Sequence, residues 1–216
     1  TPDATHDEYI VRALGFGCEV ISEKPMTTNA AKASRIQEAE ARSGKQVKVV
    51  FNMRYMPLQQ RIKEILASDA IGEVYSINLE GYLDRSHGAD YFRRWHAEME
   101  NSGGLLIHKS THHFDLINWW LEDIPQMVHA TGALKLYGPN RAERSTRCTG
   151  CPYRDQCEFY WDINSDPIYK AMYVDAEGED GYIRDACVFR DSIDIYDTMN
   201  VQVLYQGGAL LNYSLV

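Results

Sequence analysis

The densest run of titratable side chains is His108-Lys109-Ser110-Thr111-His112-His113-Phe114-Asp115. Imidazole exchanges a proton near neutral pH, so two histidines beside a lysine and a carboxylate suit proton transfer to or from a hydroxyl. On a helix, His108, His112 and Asp115 share one face through steps of four and three residues, with Lys109 and His113 on the adjacent one. Two other readings stay open: an i, i+4 histidine pair also has zinc-ligand spacing, and core histidines can simply be hydrogen-bonded. Asp115 either meets a substrate or accepts from a histidine N–H.

Three further groups carry chemistry. Glu23-Lys24-Pro25 directly follows a short apolar run, and proline stiffens the turn that would aim the lysine into a cleft. Arg54-Tyr55 also follows a strand-like run, and Arg93-Arg94-Trp95-His96 precedes Gly103-Gly104. An arginine fork with an aromatic platform, such as Arg94 with Trp95, suits a polyol or a carboxylated sugar; surface salt bridges and a packed tryptophan are the plainer account. Cys148-x-x-Cys151-x5-Cys157, with Cys187 later, has the look of a metal knuckle. Structural zinc is the first expectation for it, an iron–sulfur cluster the second, and three reduced loop cysteines the third. Cys18 falls in a predicted buried strand and reads as a core residue.

These groups need elements to position them. Thr5–Leu14 has helical spacing, Cys18–Ser22 reads as a buried strand, Thr28 or Asn29 caps a helix to about Arg42 closed by Gly44, and Val47–Phe51 is a second strand. That alternation predicts a parallel α/β sheet, whose strand ends would hold Lys24 and Arg54. Pro57–Ala67 reads as an amphipathic helix, Val74–Leu83 as a strand with one apolar face, and Gly103–Leu121 as one helix. Met127–Leu136, Asp194–Tyr205 and Ala209–Val216 read as strands, the last two joined at Gly207-Gly208. The expected fold class is α/β: the remnant of a parallel sheet followed by a large, mostly antiparallel sheet with helices on one face. Residues about 138–191 form a long irregular insertion.

The bulk numbers narrow the function. A formal charge of −9 over 216 residues disfavours nucleic acid as a partner. No apolar run approaches the ~20 residues of a membrane span, and the first residues lack a signal-peptide pattern, so a cytoplasmic protein is expected. Five cysteines without a secretory signal argue against a disulfide framework.

Taken together, Thr1-Pro2-x-x-x-His6, Glu23-Lys24-Pro25, Gly103-Gly104 and His112-x-x-Asp115 resemble the Gfo/Idh/MocA oxidoreductase family over nearly the whole chain. The resemblance implies that residues 1–52 are the end of a Rossmann domain and 53–216 a substrate-binding, catalytic α/β domain. It places Thr1, Pro2, His6, Glu23, Lys24 and Pro25 at an NAD or NADP cofactor. Lys24 would touch both the nicotinamide ribose and the reacting hydroxyl, and His112 matches the proton-transfer histidine. His108 stands where relatives carry an aspartate, which leaves the usual carboxylate–imidazole pair unaccounted for. Catalytic roles are therefore expected at Lys24, His112 and His108, and substrate contacts at Arg54, Tyr55, Arg94, Trp95, Lys109 and Asp115. No Gly-x-Gly-x-x-Gly run occurs, so these residues are not expected to bind a dinucleotide tightly unaided. The implied substrate is a sugar, inositol or related polyol, and the implied assembly a homo-oligomer through the large sheet. An NAD-dependent glycoside-cleaving enzyme and a non-catalytic, metal-stabilised sugar-binding module are the alternatives.

Overall fold

Helix α1 (His6–Gly15), strand β1 (Val20–Ser22), helix α2 (Ala30–Ser43) and strand β2 (Val47–Val49) follow each other in the computed structural model, which describes residues 1–216. The two strands run parallel, with Val20 opposite Val47. Local chemistry bounds α2. Asn29 Oδ1 accepts the Lys32 N–H at 2.9 Å, and Gly44 takes the left-handed C-cap at φ 65°. Ile10, Leu14, Ile36 and Ala39 form the seam between the two helices, with Val20 and Val47 packed against it.

The remainder is built on a second sheet. Helix α3 (Pro57–Ala67) starts with proline in its first turn, where no backbone N–H is needed. Then come β3 (Ser76–Gly81), α4 (Arg85–Arg93), α5 (Met99–Ser102), α6 (Leu105–His108), α7 (Thr111–Leu121), β4 (Pro125–Ala133), β5 (Thr198–Tyr205) and β6 (Leu210–Leu215). The sheet order is β3-β6-β5-β4; β3 lies parallel to β6 and the other pairs are antiparallel. Alternation drives Met199, Val201, Val203 and Tyr205 of β5, and Leu211, Tyr213 and Leu215 of β6, into a core shared with Phe92, Leu105, Ile117 and Ile195. Helices cover that face; the opposite one presents Asn78, Gln202 and Asn212 to solvent. No helix is long and apolar enough to cross a membrane.

Three expectations change. Helix α4 was not foreseen. Asp84 caps it by accepting the N–H groups of Ser86 and His87, but the segment is strongly polar and buries little apolar surface beyond Ala89 and Phe92, so it does not stand out as a helix. The predicted helix over Gly103–Leu121 is broken between α6 and α7. The N–H groups of Lys109 and Ser110 both reach the Leu105 carbonyl, at 2.9 Å each, a wide turn that shifts the helical phase. His108, His112 and Asp115 therefore do not follow one another along a continuous helix face.

The third change concerns the cysteines. Residues 138–191 contain only short helical turns, and an isolated antiparallel bridge between Arg147 and Ala186 ties its two ends. No three His, Cys, Asp or Glu side chains are placed to hold a metal ion. The expected zinc or iron–sulfur site at Cys148, Cys151, Cys157 and Cys187 is thus not formed. Cys148 Sγ faces the Arg93 guanidinium at 3.1 Å, and burial pushes its thiol pKa up. Cys187 belongs to the apolar core and Cys157 packs against it. Cys18 is exposed rather than buried, because it precedes β1 instead of lying in it.

Candidate active site

Lys24 leaves the C-terminal end of β1 in a turn whose Lys24–Pro25 peptide is cis. His6, buried on α1, holds that turn: its Nδ1 lies 2.9 Å from the Pro25 carbonyl and, facing an acceptor, must carry the proton. The Lys24 ammonium donates to the His108 carbonyl at 2.9 Å, joining the parallel pair to the end of α6. Burial is the main force holding the Lys24 pKa below its ordinary value; Asp3 opposes that shift and Lys109 adds to it. The approach is tight. A Cβ at Gly103, which has φ 71°, would come within 2.9 Å of the Thr28 carbonyl just beyond the Lys24 turn.

His108 has a carboxylate partner after all. Its Nδ1 lies 2.5 Å from Asp3 Oδ2, and both side chains are buried. The remaining sides of His108 are aromatic: the ring centroid of His96 is 4.2 Å away, Tyr91 5.6 Å and Trp95 5.9 Å. His96 itself stacks on Trp95 at 3.7 Å. Burial, reinforced by His108, pushes the His96 pKa down to about 2, so this imidazole stays neutral.

His112 sits on α7 with its ring edge-on to Phe51, centroids 6.3 Å apart. Burial, then the positive charge of Lys24, lowers its pKa to about 4. Its Nδ1 is buried without a hydrogen-bond partner. The Lys24 charge acts on His112, and the Lys109 charge acts on both. His113 is engaged elsewhere: Nδ1 lies 2.8 Å from the Tyr213 hydroxyl, which donates to Ser110 Oγ at 2.8 Å.

The other expected residues are less uniform. Arg54 Nε donates to Asp115 Oδ2 at 2.7 Å and its Nη2 to Oδ1, so these two close on each other in a two-point ion pair. Tyr55 stands 78% exposed. Arg94 and Trp95 line a large cavity on the far side of the His96 stack. Thr1, His6, Glu23 and Lys24 line a cleft of about 490 Å³ together with Asp3 and His108. Pro25 supports that cleft through its carbonyl, whereas Pro2 is exposed beside it. The donor set fits the nicotinamide end of a dinucleotide: an ammonium and a histidine–carboxylate pair at the end of a parallel strand. Sequence reasoning missed Asp3 and His96. Asp3 is 105 residues from His108, and no local pattern links them.

With this geometry in hand, comparison with known proteins is informative. Residues 1–51 match a family model described as an oxidoreductase-family NAD-binding Rossmann fold, and residues 63–215 match its C-terminal alpha/beta domain. YteT of Bacillus subtilis, named as an oxidoreductase, is 44% identical over 99% of this chain and 53% of its own length. An inositol 2-dehydrogenase of Rubrobacter xylanophilus is 28% identical over 61% of this chain and 35% of its own. Among solved structures, the WlbA dehydrogenase of Bordetella pertussis, in complex with NADH and UDP-GlcNAcA, superposes with TM-score 0.68 at 18% identity. That match covers 100% of this chain and 50% of WlbA. At that identity the likeness speaks to the fold. The chain spans about half the length, or less, of these relatives.

Proposed function

The chain belongs to the Gfo/Idh/MocA oxidoreductase family, and on that premise we propose that it forms the hydroxyl-facing part of an NAD- or NADP-dependent dehydrogenase acting on a sugar, inositol or related polyol. One observation carries the reading: Lys24 reaches across to the His108 backbone in a cleft that Asp3 also lines, while its charge helps keep His112 neutral. A bound nicotinamide would supply the hydride acceptor for oxidation of the carbinol carbon. The hydroxyl proton must leave as the carbonyl forms, and a neutral imidazole of pKa about 4 is a free acceptor for it over the whole neutral range. A substrate hydroxyl would also give the buried His112 a hydrogen-bond partner. In this reading the Lys24 ammonium stabilises negative charge developing on the same oxygen. Asp3 fixes His108 with its Nδ1 proton toward the carboxylate, which supplies a carboxylate–imidazole pair by a different route from the relatives' aspartate.

In this reading the chain divides near residue 52, the first part facing the cofactor and the second the substrate. Homo-oligomerisation through the large sheet is part of the same proposal. Its support is edge strand β4, which is exposed along almost its whole length and presents Met127 and Val128 to solvent.

The test is cofactor reduction by the full-length protein over a panel of sugars, inositols and amino sugars, with wild type, Lys24→Ala and His112→Ala. Each variant is expected to lose about 10²–10⁴ in kcat while remaining folded by circular dichroism. Undiminished turnover in both variants would sink the assignment, as would silence across the panel. Release of an aglycone without net reduction of cofactor would move it to the glycoside-cleaving reaction.

A further inference from the structure

A cavity of about 790 Å³ opens between the end of α4 and the 138–191 insertion. Its walls carry four arginines, Arg93, Arg94, Arg144 and Arg190, against two carboxylates, Glu98 and Asp191. The chain as a whole has a formal charge of −9, so a cationic cavity runs against its composition.

Two of these arginines have no carboxylate partner. Arg93 is buried, and its guanidinium meets the Ala186 and Phe159 carbonyls and Cys148 Sγ. Arg190 donates to the Phe92 carbonyl at 2.5 Å, the Cys187 carbonyl at 3.1 Å and Ser192 Oγ at 3.1 Å. Burial lowers the pKa of Arg190, and Glu98 on the same wall offsets that only in part. Neutral oxygens hold these groups in place without cancelling their charge, so a desolvated anion arriving in the cavity gains from both. Arg94 and Arg144 have partners, Asp90 at 3.4 Å and Asp191 at 2.8 Å, but Asp191 is largely in solvent.

The cavity also adjoins the candidate active site. Trp95 forms part of its wall, and the same ring stacks on His96, which lies against His108. Trp95 and His96 stand between a ligand on that wall and His108 of the Lys24 cleft, so the anionic group would belong to a part of the substrate remote from the reacting hydroxyl.

We propose that this cavity is a subsite for an anionic group on the carbohydrate substrate, a carboxylate or a phosphate, held by Arg93, Arg94, Arg144 and Arg190. The inference rests on the dehydrogenase reading and narrows its substrate class to acidic or phosphorylated sugars. The insertion then works as a specificity element, since it contributes Arg144 and Arg190 while α4 contributes Arg93.

The experiment is a calorimetric titration with glucose, glucuronate and glucose 6-phosphate, repeated at raised salt and with Arg144→Gln and Arg94→Gln. Both substituted side chains are half-exposed, and folding is checked by circular dichroism. At least one anionic sugar is expected to bind tenfold or more tighter than glucose, and the better of the two identifies carboxylate or phosphate. The preference should shrink severalfold in each variant and weaken with salt. Equal affinity for the neutral and both anionic sugars, no binding of any of the three, or a preference that both variants leave intact overturns the proposal. Lys24→Ala separates the two readings, because it should cut turnover about 10²–10⁴-fold yet keep the anionic preference. Turnover that depends on Lys24 without that preference removes the subsite alone; the preference without Lys24-dependent turnover removes the dehydrogenase reading alone.

Discussion

Asp3 and His108 form the contact with most consequence at the scale of single residues. A carboxylate 2.5 Å from Nδ1 selects one imidazole tautomer and orients the ring. Asp3→Asn keeps the shape but removes the charge, and its amide can present the wrong group to the ring. It is expected to lower kcat about 10–100-fold, in line with other groups that orient a functional histidine, with little change in thermal stability. Proton NMR supplies the second readout: the far-downfield Nδ1–H resonance expected for His108 in the wild type should be lost. Unchanged kcat together with an unchanged resonance would show that Asp3 does not position His108. Lys24 and His112 could be found in the sequence because their signals are local, a Glu-Lys-Pro turn after a strand and a His-x-x-Asp step. The carboxylate that the fold supplies, Asp3, comes from the start of the chain and pairs with His108, while His112 Nδ1 has no partner.

Among the elements, the junction between the Lys24 turn and α6 is the tightest. Gly103 and Gly104 both have positive φ, and a Cβ at Gly103 would meet the Thr28 carbonyl and the Ile107 side chain. Gly103→Ala is expected to cost more than about 1 kcal/mol of stability, by strain and by displacing the loop that follows Lys24. Urea unfolding measures the first effect and kcat the second; a stability loss below that with full activity would contradict the close approach. The boundaries of α2 and α3 and the turn between β5 and β6 were legible in the sequence, because caps, proline at a helix start and paired glycines act within a few residues. The break between α6 and α7 was not. It depends on Ser110 receiving a hydrogen bond from Tyr213, 103 residues away.

Over the whole molecule, the shifted groups make stability depend on pH in one direction. His96 and His112 have folded pKa values of about 2 and about 4, below the ordinary 6.5. Between those values and 6.5 the unfolded chain binds protons that the folded chain refuses, so stability is full above 6.5 and falls as pH drops toward 4. Glu158, held at about 2 by Arg141, and Asp185, also lowered by its hydrogen bonds, lose their contribution in the same direction at lower pH. The urea midpoint is therefore expected to be clearly lower at about pH 5 than at about pH 7.5. His96→Phe, which fills the aromatic stack without a titrating group, should flatten that dependence; equal wild-type midpoints at the two pH values would refute it.

The sequence by itself determined the family, the α/β class and most helices and strands, and it singled out Lys24 and His112 as candidates. All of these rest on patterns confined to neighbouring residues or on their order along the chain. Tertiary structure alone decided that Arg54 would close on Asp115, that Asp3 would reach His108, that Cys187 would join the core with Cys157 against it, and that arginines from positions 93 to 190 would surround one cavity. Those outcomes depend on which polar groups are desolvated together, and packing sets that between residues that are distant in sequence.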